Sequence, residues 1–453
     1  MSQIYAQFID GFRQAASSRE FNDLRRIGAE LKFPLVNSDG TAVALETVRA
    51  LWLYLVDKGW KMIEDPVTGQ IAGAKIAGPY NDTVAACETG YCKTEFSLAH
   101  VANLFELTES IDALREALSP FAQEHDVRFL GYGIQPLTPP SRDLLFKKAR
   151  SCFWEQVLPS NQHIPPEEGD DVHLFTVNAG SHVHVSILPE DAARAVNVLN
   201  GFAGAQIALT AHSPIWRGRC DDRYLCVNEK LWDWWEPALG RVGVPPRPFN
   251  DLEDYVNTIE SLAPIYVKRD GHPITLSGFD TFRDYYNSDD VKGKSIHGDS
   301  VSLKPKPDDI RVHNSCYWFT ARISQYFTVE NRVFDQQPPD ELESAAALTL
   351  GLVSAANAAW EELSQYSWSS LRQARESACC KGLEGSTDEF SMVELADRML
   401  QVADYGLSKR RLGEEKYLEP LREHLRRRSC PALFAKEIFD ESGIRGMVEL
   451  LAF

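Results

Sequence analysis

Four short stretches of this chain alternate between apolar and chemically reactive side chains. That alternation restricts the fold more than any other feature of its 453 residues. In "IGAELKFPLV", residues 27–36, Leu31, Phe33 and Leu35 fall on one side of an extended strand, and Glu30 and Lys32 fall on the other. In "GYCKTEFS", Lys93, Glu95 and Ser97 oppose Cys92, Thr94 and Phe96. In "GSHVHVSI", His182, His184 and Ser186 oppose Val183, Val185 and Ile187. In "TVENRVFD", Glu330 and Arg332 oppose Val329 and Val333. Taken singly, each is an ordinary strand with one face in water, and a lone His-x-His pair is more often structural than a ligand pair. Taken together, they offer carboxylates, imidazoles and a guanidinium on one face. If the strands are neighbours, that face is a surface lined with oxygen and nitrogen ligands.

The rest of the first two thirds mixes strands and helices without regular alternation. Strands are expected at 25–35, 60–64, 71–76, 83–88, 92–98, 127–134, 171–177, 180–188, 264–268, 310–320 and 327–334. Helical patterns occupy 43–58, 109–125, 141–157 and 189–211. Many short strands with short connections predict an α+β fold with a mainly antiparallel sheet, not a doubly wound parallel one. From about residue 338 the chain becomes helical, beginning with one long Ala- and Leu-rich helix in "DELESAAALTLGLVSAANAAWEELSQ". No Pro/Gly/Ser linker divides the halves, so the expectation is one domain over 1–453, with the helices of 338–453 packed on the sheet. The segment 286–309, rich in Gly, Ser, Asp and Pro, reads as a surface loop, either a plain connector or a lid.

With a formal charge of −18, the surface as a whole repels nucleic acid and anionic membranes, and neither is an expected partner. A bound polyanion such as ATP then needs local positive charge or metal ions. No apolar run reaches the length of a membrane span, and the N-terminus lacks a secretory pattern. Nine scattered cysteines without paired C-x-x-C spacing read as free thiols in a reducing cytoplasm. The chain has no G-x-x-x-x-G-K-[ST] loop, no G-x-G-x-x-G after a strand and no G-x-S-x-G elbow. The ligand-bearing sheet face is the remaining candidate for handling phosphates. Its oxygen-rich set suits Mg²⁺ or Mn²⁺ better than zinc. In Glu330-x-Arg332, the carboxylate is suited to hold a metal on one side of a phosphate while the guanidinium offers forked donors to its oxygens.

These motifs resemble those of the carboxylate–amine ligases of the plant and bacterial glutamate–cysteine ligase type, within the glutamine-synthetase-like superfamily. "IGAELKFPLV" is similar to that family's Gly-x-Glu-x-Glu strand, "ETGYCKTEFS" to its Glu-x-Gly…Gln-x-Glu segment, and "GSHVHVSI" to its Gly-x-His-Val-His-Val strand. "ALTAHSPIWRGRCDDR", "TVENRVFDQQP" and "YGLSKRRLGEEKYLEPL" resemble three further segments in the same order. The resemblance implies an antiparallel sheet curved into a bowl, with helices outside and Mg-ATP within. It implies an activity in which ATP phosphorylates the γ-carboxylate of glutamate and an amine, by default that of cysteine, attacks the acyl phosphate. It further implies Glu30, Glu95, His182 and Glu330 as metal ligands and Arg332 on the transferring phosphate. Glu88 would position metal or substrate, Arg217 and Arg219 would bind phosphate or a substrate carboxylate, and His184 would bond the nucleotide or orient the ligands.

Two departures from the family pattern stand out. Lys32 occupies the place of a second glutamate, and Lys93 the place of a frequent glutamine. A fixed ammonium at Lys32 either replaces one divalent ion beside the phosphates, which makes it a catalytic residue, or pairs with Glu30 and weakens metal binding. Lys93 is the corresponding cation on the nucleotide side. These changes keep a ligase of specialised metabolism, using another amine or acid, beside the default. A guanidino-kinase-like phosphotransferase and a non-catalytic nucleotide sensor are the more distant alternatives. Monomer and homodimer are both compatible with the sequence.

Overall fold

The computed structural model describes residues 3–17, 25–152, 156, 165–234 and 240–453. Among the described residues, nine strands build the main sheet: β1 (Ile27–Asn37), β2 (Lys61–Glu64), β3 (Ile71–Ala77), β4 (Asp82–Cys87), β5 (Lys93–Ser97), β6 (Val127–Phe129), β7 (Gly180–Ser186), β8 (Ala321–Ile323) and β9 (Thr328–Asp335). Their order is β8-β9-β7-β1-β5-β4-β3-β2, with β6 paired to the end of β1. Every pairing is antiparallel, as the short connections require. The fold is α+β.

The four patterned segments are thus β1, β5, β7 and β9, contiguous in the order β9-β7-β1-β5. Leu31, Phe33, Phe96, Val183, Val185 and Val329 on their apolar face are buried, each contributing roughly 1.5–3 kcal/mol of hydrophobic stabilisation. Helices cover that face. Ser344–Ser354 packs on β7 and β1, and Ala203–Thr210 packs on β9. Ser344–Ser354 is buried on all sides except at its last residue, as its uniformly apolar sequence demands. Helix Leu104–His125 starts five residues before the expected position. Asn103 caps it by accepting from Glu106 N at 3.0 Å, and the Glu106 carboxylate reciprocates by accepting from Ala102 N at 2.9 Å.

Several expectations are corrected. Residues 171–177 form a 3₁₀ turn over Asp171–Thr176, begun by Asp170, whose carboxylate accepts from Val172 N at 3.0 Å. The first five residues of 310–320 belong to the helix Asp309–Asn314, and only the two-residue strand Trp318–Phe319 follows. The β-branched Ile310 and Val312 suggest a strand, but Asp309 at the helix start accepts from Lys306 N at 2.7 Å. The strand begun at Val127 ends at Phe129, before the close backbone approaches of Gly131 and Gly133. The segment 286–309 is no free loop: Val291–Lys294 and Ser300–Leu303 pair as a hairpin in a separate four-stranded antiparallel sheet. The long helix after Pro339 is two, Ser344–Ser354 and Ala356–Leu363. Of 141–157, a 3₁₀ turn at Arg142–Leu144 and a helical turn at Ala149–Cys152 are seen; 153–155 and 157 lie outside the described residues.

Candidate active site

Antiparallel register aligns the polar side chains into rows, because directly opposed residues share a face. Arg322 of β8 lies opposite Glu330, and Glu330 opposite His184. One row along, His182 faces Glu30, which faces Ser97; next, Lys32 faces Glu95. All of them line one cavity of about 970 Å³. Lys93 and Arg332 also line it, and Glu88 enters from the turn after β4. Among the described residues, eight cationic side chains against five carboxylates line this cavity, in a chain whose overall charge is −18. This concentrates positive potential where a polyanion is needed.

Three ligand-type side chains converge. Glu30, His184 and Glu330 each offer one atom, and these atoms lie within 4.8 Å of one another. His184 is oriented by Thr328, whose Oγ1 lies 2.8 Å from Nδ1, which leaves Nε2 pointing at Glu30 Oε1, 3.3 Å away. Glu330 is buried, and its Oε2 accepts from Arg322 Nε at 2.8 Å while Oε1 accepts from Arg332. Burial alone would raise the Glu330 carboxyl; Arg322 and Arg332 outweigh it and hold it well below the usual range. The site thus keeps a permanent negative charge beside two fixed guanidiniums.

Lys32 sits at the centre of a second cluster. Its Nζ donates to Glu30 Oε2 at 2.9 Å, lies 3.0 Å from His182 Nδ1 and stands 3.4 Å from Glu95 Oε2. Burial would lower the ammonium's pKa, but Glu30, Glu95 and Glu88 outweigh it and raise it, so Lys32 stays charged. His182 Nδ1 also lies 2.9 Å from Glu30 Oε2 and 3.3 Å from Arg332 Nη1. Burial together with Arg332 and Lys32 pushes His182 down to about 3, so its imidazole is neutral.

A third group lies beside them. Lys93 Nζ donates to Asn178 Oδ1 at 2.8 Å and stands 3.9 Å from Glu88 Oε2. Burial, partly offset by Glu88, brings Lys93 down to about 8. Burial also pushes Glu95 up to about 8; Lys32 opposes the rise, and the Glu30 and Glu88 carboxylates add to it. Glu88 moves the other way, because a hydrogen bond from Glu95 and the charge of Lys93 overcome its burial. Near pH 7, Glu95 therefore holds a proton that it shares toward Glu88.

Of the residues singled out in the sequence, Glu30, Lys32, Glu88, Lys93, Glu95, His182, His184, Glu330 and Arg332 meet in this cavity. Arg217 and Arg219 do not. They lie on the hairpin after Ile215, where both pair with Glu168, Arg219 Nη2 at 2.5 Å, and Arg217 stacks over Trp216. Sequence reasoning missed Arg322, which the register alone brings to Glu330. Trp232 is likewise not among the residues singled out. It lines the cavity, its ring 4.3 Å from Phe175 and 5.8 Å from Trp318, with Arg332 alongside at 5.8 Å.

A set of carboxylates, imidazoles and guanidiniums on a concave antiparallel sheet is equipped to bind nucleotide phosphates. Comparisons with known proteins agree with that geometry. The family model "Glutamate-cysteine ligase family 2(GCS2)" matches residues 27–440. A protein described as putative glutamate–cysteine ligase 2-3, from Rubrobacter xylanophilus, is 25% identical over 363 residues, covering 78% of this chain and 81% of that protein. A glutamate–cysteine ligase from Haloquadratum walsbyi is 30% identical over 150 residues, covering 33% of this chain and 37% of that one. Among solved structures, a glutamate–cysteine ligase of Francisella tularensis in complex with AMP superposes with a TM-score of 0.55 at 11% identity. The match covers 94% of this chain and 87% of that one, and it shows a shared fold. The chain therefore belongs to glutamate–cysteine ligase family 2, and it is an ATP-dependent ligase that forms an amide bond between a carboxylate and an amine.

Proposed function

We propose that the enzyme activates the γ-carboxylate of glutamate, or of a similar amino acid, as an acyl phosphate, and that an amine then displaces phosphate to give the amide. The observation that carries this reading is the convergence of Glu30, His184 and Glu330 within 4.8 Å, backed by Arg322 and Arg332, in one cavity. Two carboxylates and an imidazole form a donor set suited to Mg²⁺ or Mn²⁺, with room left for phosphate oxygens. A divalent ion held there supplies charge neutralisation for the transferring phosphoryl group. Arg332 places its guanidinium beside that group, and Arg322 fixes the Glu330 carboxylate. Glu88 and the protonated Glu95 position the acceptor side, with Lys93 as the neighbouring cation. Arg217 and Arg219, paired with Glu168 outside the cavity, have no part in this reading.

Cysteine is the family's default amine. A second reading, a bulkier amine, is favoured by Phe175, Trp232 and Trp318, an aromatic wall beside Arg332 that exceeds what a thiol side chain requires. The test is ADP release from the full-length protein with Mg-ATP, with acids and amines supplied singly and in pairs, and with the products identified by mass spectrometry. Release only when both are present, with an amide of matching mass, is the expected result. An isolable phosphorylated product without amide would instead make the protein a phosphotransferase.

A further inference from the structure

Among the described residues, the cavity contains two places where ligand-type atoms converge on a common centre, and only one of them is open to a metal ion. Around the second, Glu30 Oε2, Glu95 Oε2 and His182 Nδ1 surround the Lys32 ammonium at 2.9, 3.4 and 3.0 Å. Glu30 Oε2 and His182 Nδ1 hydrogen-bond to the ammonium, and Glu95 Oε2 stands beside it at ion-pair distance. A Mg²⁺ ion in the same place would need bonds of about 2.0–2.1 Å to the same atoms, which the nitrogen already occupies. With Lys32 in place, Arg332 Nη1, 3.3 Å from the same His182 Nδ1, would make a metal there meet two cations at once; removing the ammonium leaves one. Lys32 has little freedom to leave. It is 4% exposed, it lies in the middle of β1, and its backbone N–H donates to Gln336 Oε1 at 2.8 Å.

Glu30 is shared by the two places. Its Oε2 serves the ammonium, while its Oε1 turns toward His184 Nε2, 3.3 Å away. The carboxylate is thereby held with one oxygen presented to the open triad.

We propose that the Lys32 ammonium stands in for a divalent cation, so that the cavity's resident ion is held by Glu30, His184 and Glu330 and not by Glu95 and His182. The inference rests on the ligase reading for the identity of the triad as a metal site, and it assigns this chain a built-in monovalent charge where a second ion would otherwise bind. The enzyme then needs one fewer divalent ion per turnover, and its second cation cannot be removed by a chelator.

Counting bound metal tests this without any substrate. Full-length, nucleotide-free protein is titrated with Mn²⁺ while electron paramagnetic resonance reports the unbound ion. Wild type is expected to bind one equivalent. Lys32→Met, which removes the charge and frees Glu30, Glu95 and His182, is expected to bind two, and Lys32→Gln serves the same purpose should the Met variant fail to fold. His184→Gln is expected to lose the wild-type equivalent. Two equivalents in wild type, or one in wild type and in both Lys32 variants, would overturn the substitution of ammonium for metal while leaving the triad intact. No Mn²⁺ bound by wild type would overturn the metal reading of the triad, and this inference with it.

Discussion

Glu330 shows how single residues carry this site. It is 3% exposed, and it keeps its charge only because guanidiniums meet it on both oxygens, Arg322 at 2.8 Å on one and Arg332 on the other. The two arginines differ in what else they do. Arg322 donates to the backbone oxygens of Ser315 and Tyr317 at 2.8 and 2.6 Å, so it is anchored in the fold, whereas Arg332 faces the cavity and His182. Arg332→Gln should therefore fold, since Glu330 retains Arg322, yet should lose roughly 100-fold in kcat, the usual cost of removing one preorganised charge donor. The Michaelis constant for ATP should change far less. Steady-state kinetics decide it: an unchanged kcat would remove Arg332 from the phosphoryl-transfer step. Strand parity alone makes Glu30, Lys32, Glu95, His182, His184, Glu330 and Arg332 legible in the sequence. Arg322 is not legible there, because β8 is three residues long and offers no period; only its register against Glu330 reveals it.

Among the elements, β9 does the most to shape the site, and it does so with an irregularity. Its pairing with β7 slips between Asn331 and Phe334, and beyond the slip Asp335 is fully buried. There its carboxylate accepts from His212 N at 2.5 Å, Ser213 Oγ at 2.8 Å and Asn228 Nδ2 at 2.9 Å, and Asn228 itself lines the cavity. Burial pushes Asp335 up to about 6, against the hydrogen bonds that favour its ionised form. The folded state then binds the proton more tightly than the unfolded chain, so this residue's contribution to stability is fully present at low pH. It falls as pH rises from about 4 to about 6, by about 3 kcal/mol at most. Urea unfolding of wild type and Asp335→Asn should show a stability difference that shifts against wild type across that window. A difference independent of pH would contradict the assignment. The elements that the sequence misrepresented are those whose local pattern competes with a specific hydrogen bond. Asp170 and Asp309 each begin a helical turn within residues whose apolar spacing suggests a strand, and the Asn103–Glu106 reciprocal cap starts a helix before its apolar period becomes regular.

For the whole molecule, the governing relation is between a net charge of −18 and a cavity lined, among the described residues, by eight cations and five carboxylates. An acidic surface repels polyanions in general, so binding a nucleotide demands this local reversal. The reversal is built mainly on strands whose one-sided chemistry is legible in the sequence. Its extent comes from residues with no shared period: Arg26, Lys148, Lys268 and Arg311 reach the cavity from separate segments, and only the folded topology brings them together. The central claim is that this cavity serves to activate a carboxylate by phosphoryl transfer. The most direct measurement uses glutamate labelled with ¹⁸O in its γ-carboxylate, together with Mg-ATP and the amine that supports ADP release. Attack of the amine on an acyl phosphate expels phosphate with one substrate oxygen, so each turnover should yield phosphate carrying one ¹⁸O. Phosphate free of label, with ADP still formed, would contradict the claim.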